Sequence, residues 1–250
     1  MDLPYDQRLA LAAERERIRR EARRLIDTEE RGQTSHTPSL QTLRERLTAP
    51  LAPTSYRIEG RQPCGSRVML AAQFKAGKTT LTGNLIRSLI DGDLFLGRDA
   101  VSPIAGRAVV LDFEMSESQL VSWLADQKIR DDDRVIAVAL RGRAVAFDIL
   151  NVDIRARWAQ RLRGVACTYL VWDCVRPLMD ALGLDEHGDA GRLLVAFDAL
   201  LAEAGIPDAL VVHQMGHTGE RSRAIRAFAT GLMRNGDSFA RMMIPPLPDS

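Results

Sequence analysis

Lysine is nearly missing from this sequence. Lys75, Lys78 and Lys128 are the only three in 250 residues, and every other basic side chain is arginine. Cysteine is as scarce: Cys64, Cys167 and Cys174 are an odd count without a CxxC pair. That excludes a disulfide framework and fits a reduced compartment. No His/Cys spacing suits a closed metal site, so His187 and His217 read as loop or solvent residues. No apolar run reaches the roughly 18 residues that span a bilayer. The N-terminus is charged and has no apolar leader-like stretch, so the expectation is a soluble, cytoplasmic protein with no membrane partner. Basic and acidic residues balance at 34 and 33, which excludes a general polycationic coat but leaves room for a local basic patch. What remains is ordinary globular material, 46% hydrophobic and 27% charged, enough for one sizeable core and an appendage.

Residues 6–31 are rich in Arg and Glu, with Leu9, Leu11, Ile18 and Leu25 as a sparse apolar set. Opposite charges three and four apart support a helical arm there. Residues 32–56 carry Thr, Ser and Pro and read as a linker, with room for a short helix over 38–48. From Arg57 the pattern alternates. Strands are expected at Val68–Ala72, Ala108–Phe113, Arg134–Leu140, Tyr169–Trp172 and Ala209–Val212. Helices are expected at 78–90, from Ser116 onward, at 153–164 and at 189–204. Alternating strands and helices imply an α/β fold with a mostly parallel sheet covered on both faces. Ligands of such sheets gather at the carboxyl ends of the strands.

The scarce lysines are informative because two of them sit together. Ala72-Gln73-Phe74-Lys75-Ala76-Gly77-Lys78-Thr79 lies between a strand and a helix and matches the phosphate-loop pattern G-x-x-x-x-G-K-[ST], with Ala72 in place of the first glycine. Backbone N–H groups from Ala72 through Thr80 would cradle phosphates. Lys78 would reach the β- and γ-phosphates of ATP as a compact point charge, and the Thr79 hydroxyl would hold Mg²⁺. Hydrolysis needs two carboxylates more. Asp173 ends an apolar strand and suits the magnesium side. Glu114, just past another strand, suits the activation of water, with Asp112 as its rival.

These segments resemble RecA-like ATPases of DNA replication. Gly106-Arg107-Ala108-Val109-Val110-Leu111-Asp112-Phe113-Glu114-Met115-Ser116-Glu117-Ser118-Gln119-Leu120 is similar to a stretch of bacterial replicative helicases in which the glutamate is the catalytic base. Trp172-Asp173-Cys174-Val175-Arg176-Pro177-Leu178 resembles the Walker B segment of plasmid-type hexameric helicases. His213-Gln214-Met215-Gly216-His217 resembles their H-H-x-x-H element, thought to sense the γ-phosphate, with Gln214 departing at the second histidine. Residues from about 10 to 223 also resemble actinobacterial and phage AAA-type ATPases, on Lys75–Leu81, Asp91–Gly97 and Leu182–Glu186. The resemblance implies a RecA-like P-loop NTPase core, ATP with Mg²⁺, a ring-shaped homo-oligomer and single-stranded DNA as partner. Lys78, Glu114, Asp173 and His213 would be its catalytic set.

The resemblance stops after Arg223. Where the family continues with G-D-S and D-W-P-D-A, this chain reads Ala224-Ile225-Arg226-Ala227-Phe228. We expect a single-base frameshift, which resequencing the gene decides: no single-base change restoring the D-W-P-D-A frame means no frameshift. The organisation expected is a helical arm and linker over 1–56, a RecA-like core over 57–223 and an atypical tail over 224–250 that is not expected to supply a strand. Arg221 and Arg223 are candidate fingers reaching a neighbouring subunit. The competing functions are a nucleotide-dependent regulatory module with little turnover, or an inactive prophage remnant.

Overall fold

The computed structural model describes residues 7, 14, 15, 17, 18, 40–48, 50, 53–73, 77–185, 188–215 and 239–243. The chain divides into two units, Met1–Ala52 and Pro53–Ser250. In the first unit, the described residues between 7 and 18 are helical. The rest of the expected arm lies outside the described residues. Helix α1 (Leu43–Leu47) buries no residue and is held by its own cap. The Thr42 side chain accepts from Glu45 N–H while the Glu45 carboxylate accepts from Thr42 N–H, the reciprocal pairing that satisfies two helix-start donors.

The second unit opens with a small antiparallel hairpin, β1 (Tyr56–Ile58) and β2 (Gln62–Pro63). The main sheet contains β3 (Arg67–Gln73), β4 (Arg107–Asp112), β5 (Val135–Ala139), β6 (Cys167–Asp173), β7 (Asp208–Met215) and β8 (Phe239–Met243), in the order β5-β4-β6-β7-β3-β8. Every neighbouring pair is parallel. The fold is therefore the expected α/β architecture of a RecA-like P-loop core. The tail expectation needs correcting. Phe239–Met243 pairs with β3 from Arg67 to Ala71, because the outer edge of β3 presents unpaired N–H and C=O groups that any extended segment can satisfy.

Helices α2 (Lys78–Asp91), α3 (Glu117–Asp126), α4 (Val152–Gly164), α5 (Val175–Ala181) and α6 (Ala190–Ala204) connect the strands. Two cores result, one on each sheet face. Leu85, Ile86, Leu89 and Ile90 of α2 pack with Val68, Leu70, Val110, Val171 and Val212. Leu193, Phe197, Leu200 and Leu201 of α6 pack with Met69, Leu111, Trp172 and Val211 on the opposite face. Strand alternation explains the division, since successive side chains point to opposite faces. On the α6 side, Trp172 meets Phe197 at 5.1 Å and Phe147 at 5.7 Å between ring centroids. Among the described residues no helix is long and apolar enough to cross a membrane.

At the amino end of the sheet, Asp208 is fully buried. It accepts from Gly65 N–H at 2.8 Å and pairs with Arg57 at 2.9 Å, fastening the hairpin to the start of β7. Arg134 donates to the carbonyls of Gly106, Ile104 and Ile90, tying the end of α2 to the entry of β4. Gly106 itself has no room for a side chain. An added Cβ would lie 2.3 Å from the Ala166 carbonyl oxygen and 2.7 Å from Thr168 Cγ2. Backbone cannot give way as a flexible side chain can, so Gly106→Ala should destabilise the protein by about 1–3 kcal/mol, the usual cost of overpacking. Urea unfolding measures this; an unchanged midpoint would mean that the β4 entry is plastic.

Candidate nucleotide site

Helix α2 begins at Gly77, whose backbone is left-handed, with φ 77° and ψ 18°. Glycine takes that conformation without a Cβ penalty. No side chain caps the helix, and its first turn holds no acid. Its leading N–H groups and the positive end of its dipole therefore favour an anion. Thr79 and Thr80 are exposed on this first turn and Lys78 is half-buried. Burial lowers the Lys78 ammonium pKa, while the neighbouring Cys174, Asp173 and Glu114 oppose that shift. Phe74, Lys75 and Ala76 lie outside the described residues. Ala72 and Gln73 are the last residues of β3, in register with Gln214 and Met215. Ala72 is thus extended strand, where alanine is unstrained and the glycine of the usual pattern is not required.

Asp112 and Asp173 end β4 and β6 side by side in register. By alternation both follow the α2 face, after Val110 and Val171. Asp112 is buried and engaged. Its Oδ1 accepts from Glu114 N–H at 2.9 Å and Met115 N–H at 2.6 Å. Ser116 and Gln119 then form a reciprocal cap at the start of α3. Phe113 N–H donates to Asp173 O at 2.7 Å, fixing the same turn to β6. The outcome is a short, pinned bend from which Glu114 emerges exposed. Burial raises the Asp112 carboxyl above its ordinary range, the two N–H donors counter that, and Glu114 adds to it.

Glu114, Asp173 and Cys174 converge. One carboxylate oxygen from each acid and the Cys174 Sγ all lie within 4.8 Å of one another. Asp173 is 6% exposed. Burial first, then the charges of Asp112 and Glu114, push its carboxyl up to about 7, with Lys78 pulling the other way. Three acids crowded at the adjacent ends of β4 and β6 beside a lysine suit a hard divalent cation, which takes oxygen ligands and relieves their mutual repulsion. The Asp173 carboxylate, an oxygen donor in this cluster, therefore fits Mg²⁺.

Lys78, Glu114 and Asp173 are brought together, and His213 lies within β7 opposite Ala71 of β3. The β7 ladder runs two residues past His213, because β3 extends to Gln73 and supplies partners for Gln214 and Met215. His213 is 1% exposed and follows Ala209 and Val211 on the α6 face. Gln214 follows Leu210 and Val212 on the α2 face and is half-buried. His187, His217, Arg221 and Arg223 lie outside the described residues.

Sequence reasoning missed Cys174 as a member of this cluster and the helix α5 that follows it. The available signal was local: Cys174 directly follows a strand-end acid, and Pro177 lies in the next turn, where a helix start tolerates proline.

A family model described as an AAA domain matches residues 32–220, more than half of the chain. A search of the curated proteins finds no match.

Proposed function

We propose that this chain, which belongs to the AAA domain family of P-loop ATPases, binds ATP at the head of α2 and hydrolyses it with Mg²⁺. The observation that carries the reading is the meeting of Lys78, Glu114 and Asp173 at the carboxyl ends of β4 and β6, beside an uncapped helix start. Lys78 holds the β- and γ-phosphates. Thr79 and Asp173 would hold Mg²⁺, which when bound neutralises charge on the phosphate oxygens. Glu114 accepts a proton from water as that water attacks the γ-phosphorus. The bond to the bridging oxygen breaks and ADP leaves. Asp112 sets the bend that presents Glu114 and is not itself the base, since its carboxylate is already committed to two backbone donors. We assign sensing of the γ-phosphate to Gln214 rather than His213, because Gln214 follows the face on which α2 lies and its amide can donate a hydrogen bond.

The finer reading is a helicase-like motor of DNA replication or mobile-element maintenance, assembled as a ring around single-stranded DNA. The sequence likeness over Gly106–Leu120 and Trp172–Leu178 supports it. The core would run over 57–223, with the arm over 1–56 available for contacts between subunits. ATP turnover by the full chain, measured with and without single-stranded DNA, tests the reading. Severalfold stimulation by DNA is the expected result. Turnover indifferent to DNA would remove the motor and leave an ATPase. Binding without turnover would favour a regulatory module, and neither binding nor turnover an inactive remnant.

A further inference from the structure

Cys174 has no role in the reading above, yet it sits in the middle of the cluster. It is 1% exposed, directly follows Asp173, and is the residue that precedes α5. A residue at that position commonly caps the helix with its side chain. Here no side-chain cap is made, and Sγ lies instead within 4.8 Å of oxygens of both Glu114 and Asp173. The Glu114 main chain is fixed by Asp112, but that fixes only the bend. The carboxylate itself extends from an exposed residue with several rotatable bonds, and a base that wanders loses rate.

We propose that the Cys174 thiol is a positioning residue, donating to the Glu114 carboxylate and holding it on the Asp173 side of the site. This inference rests on the assignment of Glu114 as the base. A thiol is protonated at neutral pH in its ordinary state. As a small, weakly polar group it joins the apolar core on the α2 face of the sheet at little desolvation cost. A stronger donor of similar shape should serve equally well, whereas a methyl group should not.

The test compares the full chain with its Cys174→Ser, Cys174→Ala and Glu114→Gln variants in steady-state ATP hydrolysis, fluorescent-ATP binding and thermal melting. Cys174→Ala should lower kcat about tenfold, the worth of one hydrogen bond to a charged group, with KM and nucleotide affinity unchanged. Cys174→Ser should retain or restore wild-type kcat. Three results overturn the inference: wild-type kcat in Cys174→Ala; equal losses in the Ser and Ala variants; or a loss in Cys174→Ala that appears in KM and affinity instead. If Cys174→Ala does not fold, Cys174→Ser decides alone, since a serine variant that melts normally but turns over slowly also overturns it. Failure of the underlying reading looks different, because Glu114→Gln would then hydrolyse ATP normally. A dead Glu114→Gln beside an unaffected Cys174→Ala sinks only the positioning role.

Discussion

Glu114→Gln should bind ATP with unchanged affinity and lose about 10²–10⁴-fold in kcat, the usual contribution of a positioned general base. The substitution keeps size and shape and removes only the ability to take a proton. The pinned bend should survive it, because Asp112 holds the main-chain N–H groups of Glu114 and Met115 rather than the Glu114 side chain. Lys78→Ala gives the opposite pattern. It removes the charge at the helix start, so nucleotide affinity itself should fall, by about 10²-fold for a lost charge-assisted contact. Equilibrium binding of a fluorescent ATP analogue and single-turnover hydrolysis separate the two. Equal loss of binding in both variants would show that Glu114 is part of the binding surface and not the base. Normal hydrolysis by Glu114→Gln would move the base elsewhere, to Asp112 first.

Asp173→Asn should abolish turnover and yet make the metal-free protein more stable. Asp173 ionises near 3.8 when unhindered and near 7 in the native state. Below about pH 4 both states hold the proton and the residue costs nothing. Between about 4 and 7 the unfolded chain releases its proton while the native chain keeps it, so stability falls as pH rises. Above about 7 the loss is complete, on the order of a few kcal/mol. Asparagine is neutral at every pH and avoids it. With metal chelated, the variant should therefore match wild type near pH 4 and melt several degrees higher at pH 8. Added Mg²⁺ should stabilise wild type more than the variant, which lacks the Asp173 carboxylate. An Asn variant that melts below wild type at pH 8 would mean that the carboxylate is stabilised by partners rather than strained by like charges. The site on this reading is a place where stability is given up for function.

Much of this arrangement was legible before any tertiary contact was known. The junction of β3 and α2 is a local pattern: an apolar strand, a glycine able to take positive φ, then Lys78 and the threonines of a first helical turn. Ser116 three residues before Gln119 likewise announces the start of α3, because the capping pair is closed within one turn. For the elements expected after Arg57, strand and helix limits lie within two residues of those seen, except the end of β7. That strand was placed too short because Gln214 and Met215 carry no strand signal of their own and are held extended only by Ala72 and Gln73 alongside. Helix α5 was not foreseen, being seven residues long with a proline inside it. Strand β8 was not foreseen either, since nothing local in Phe239–Met243 demands it and the open edge of β3 does.

The sequence by itself determined that an α/β sheet forms, that a helix starts at Lys78 directly after Gly77, that Asp173 ends a strand and that Glu114 follows one. Periodicity, turn chemistry and capping act over a few residues, so they are written in the order of the chain. Only the tertiary structure decided that β7 lies between β3 and β6, that His213 and Gln214 part to opposite faces, that Asp112 serves the bend, and that Cys174 joins Glu114 and Asp173. Those outcomes depend on which strands pair and in what register, and a shift of one residue would exchange the two faces of β7. The scarce lysine that marks the site is local; the acids and the thiol around it are assembled by pairing across the sheet.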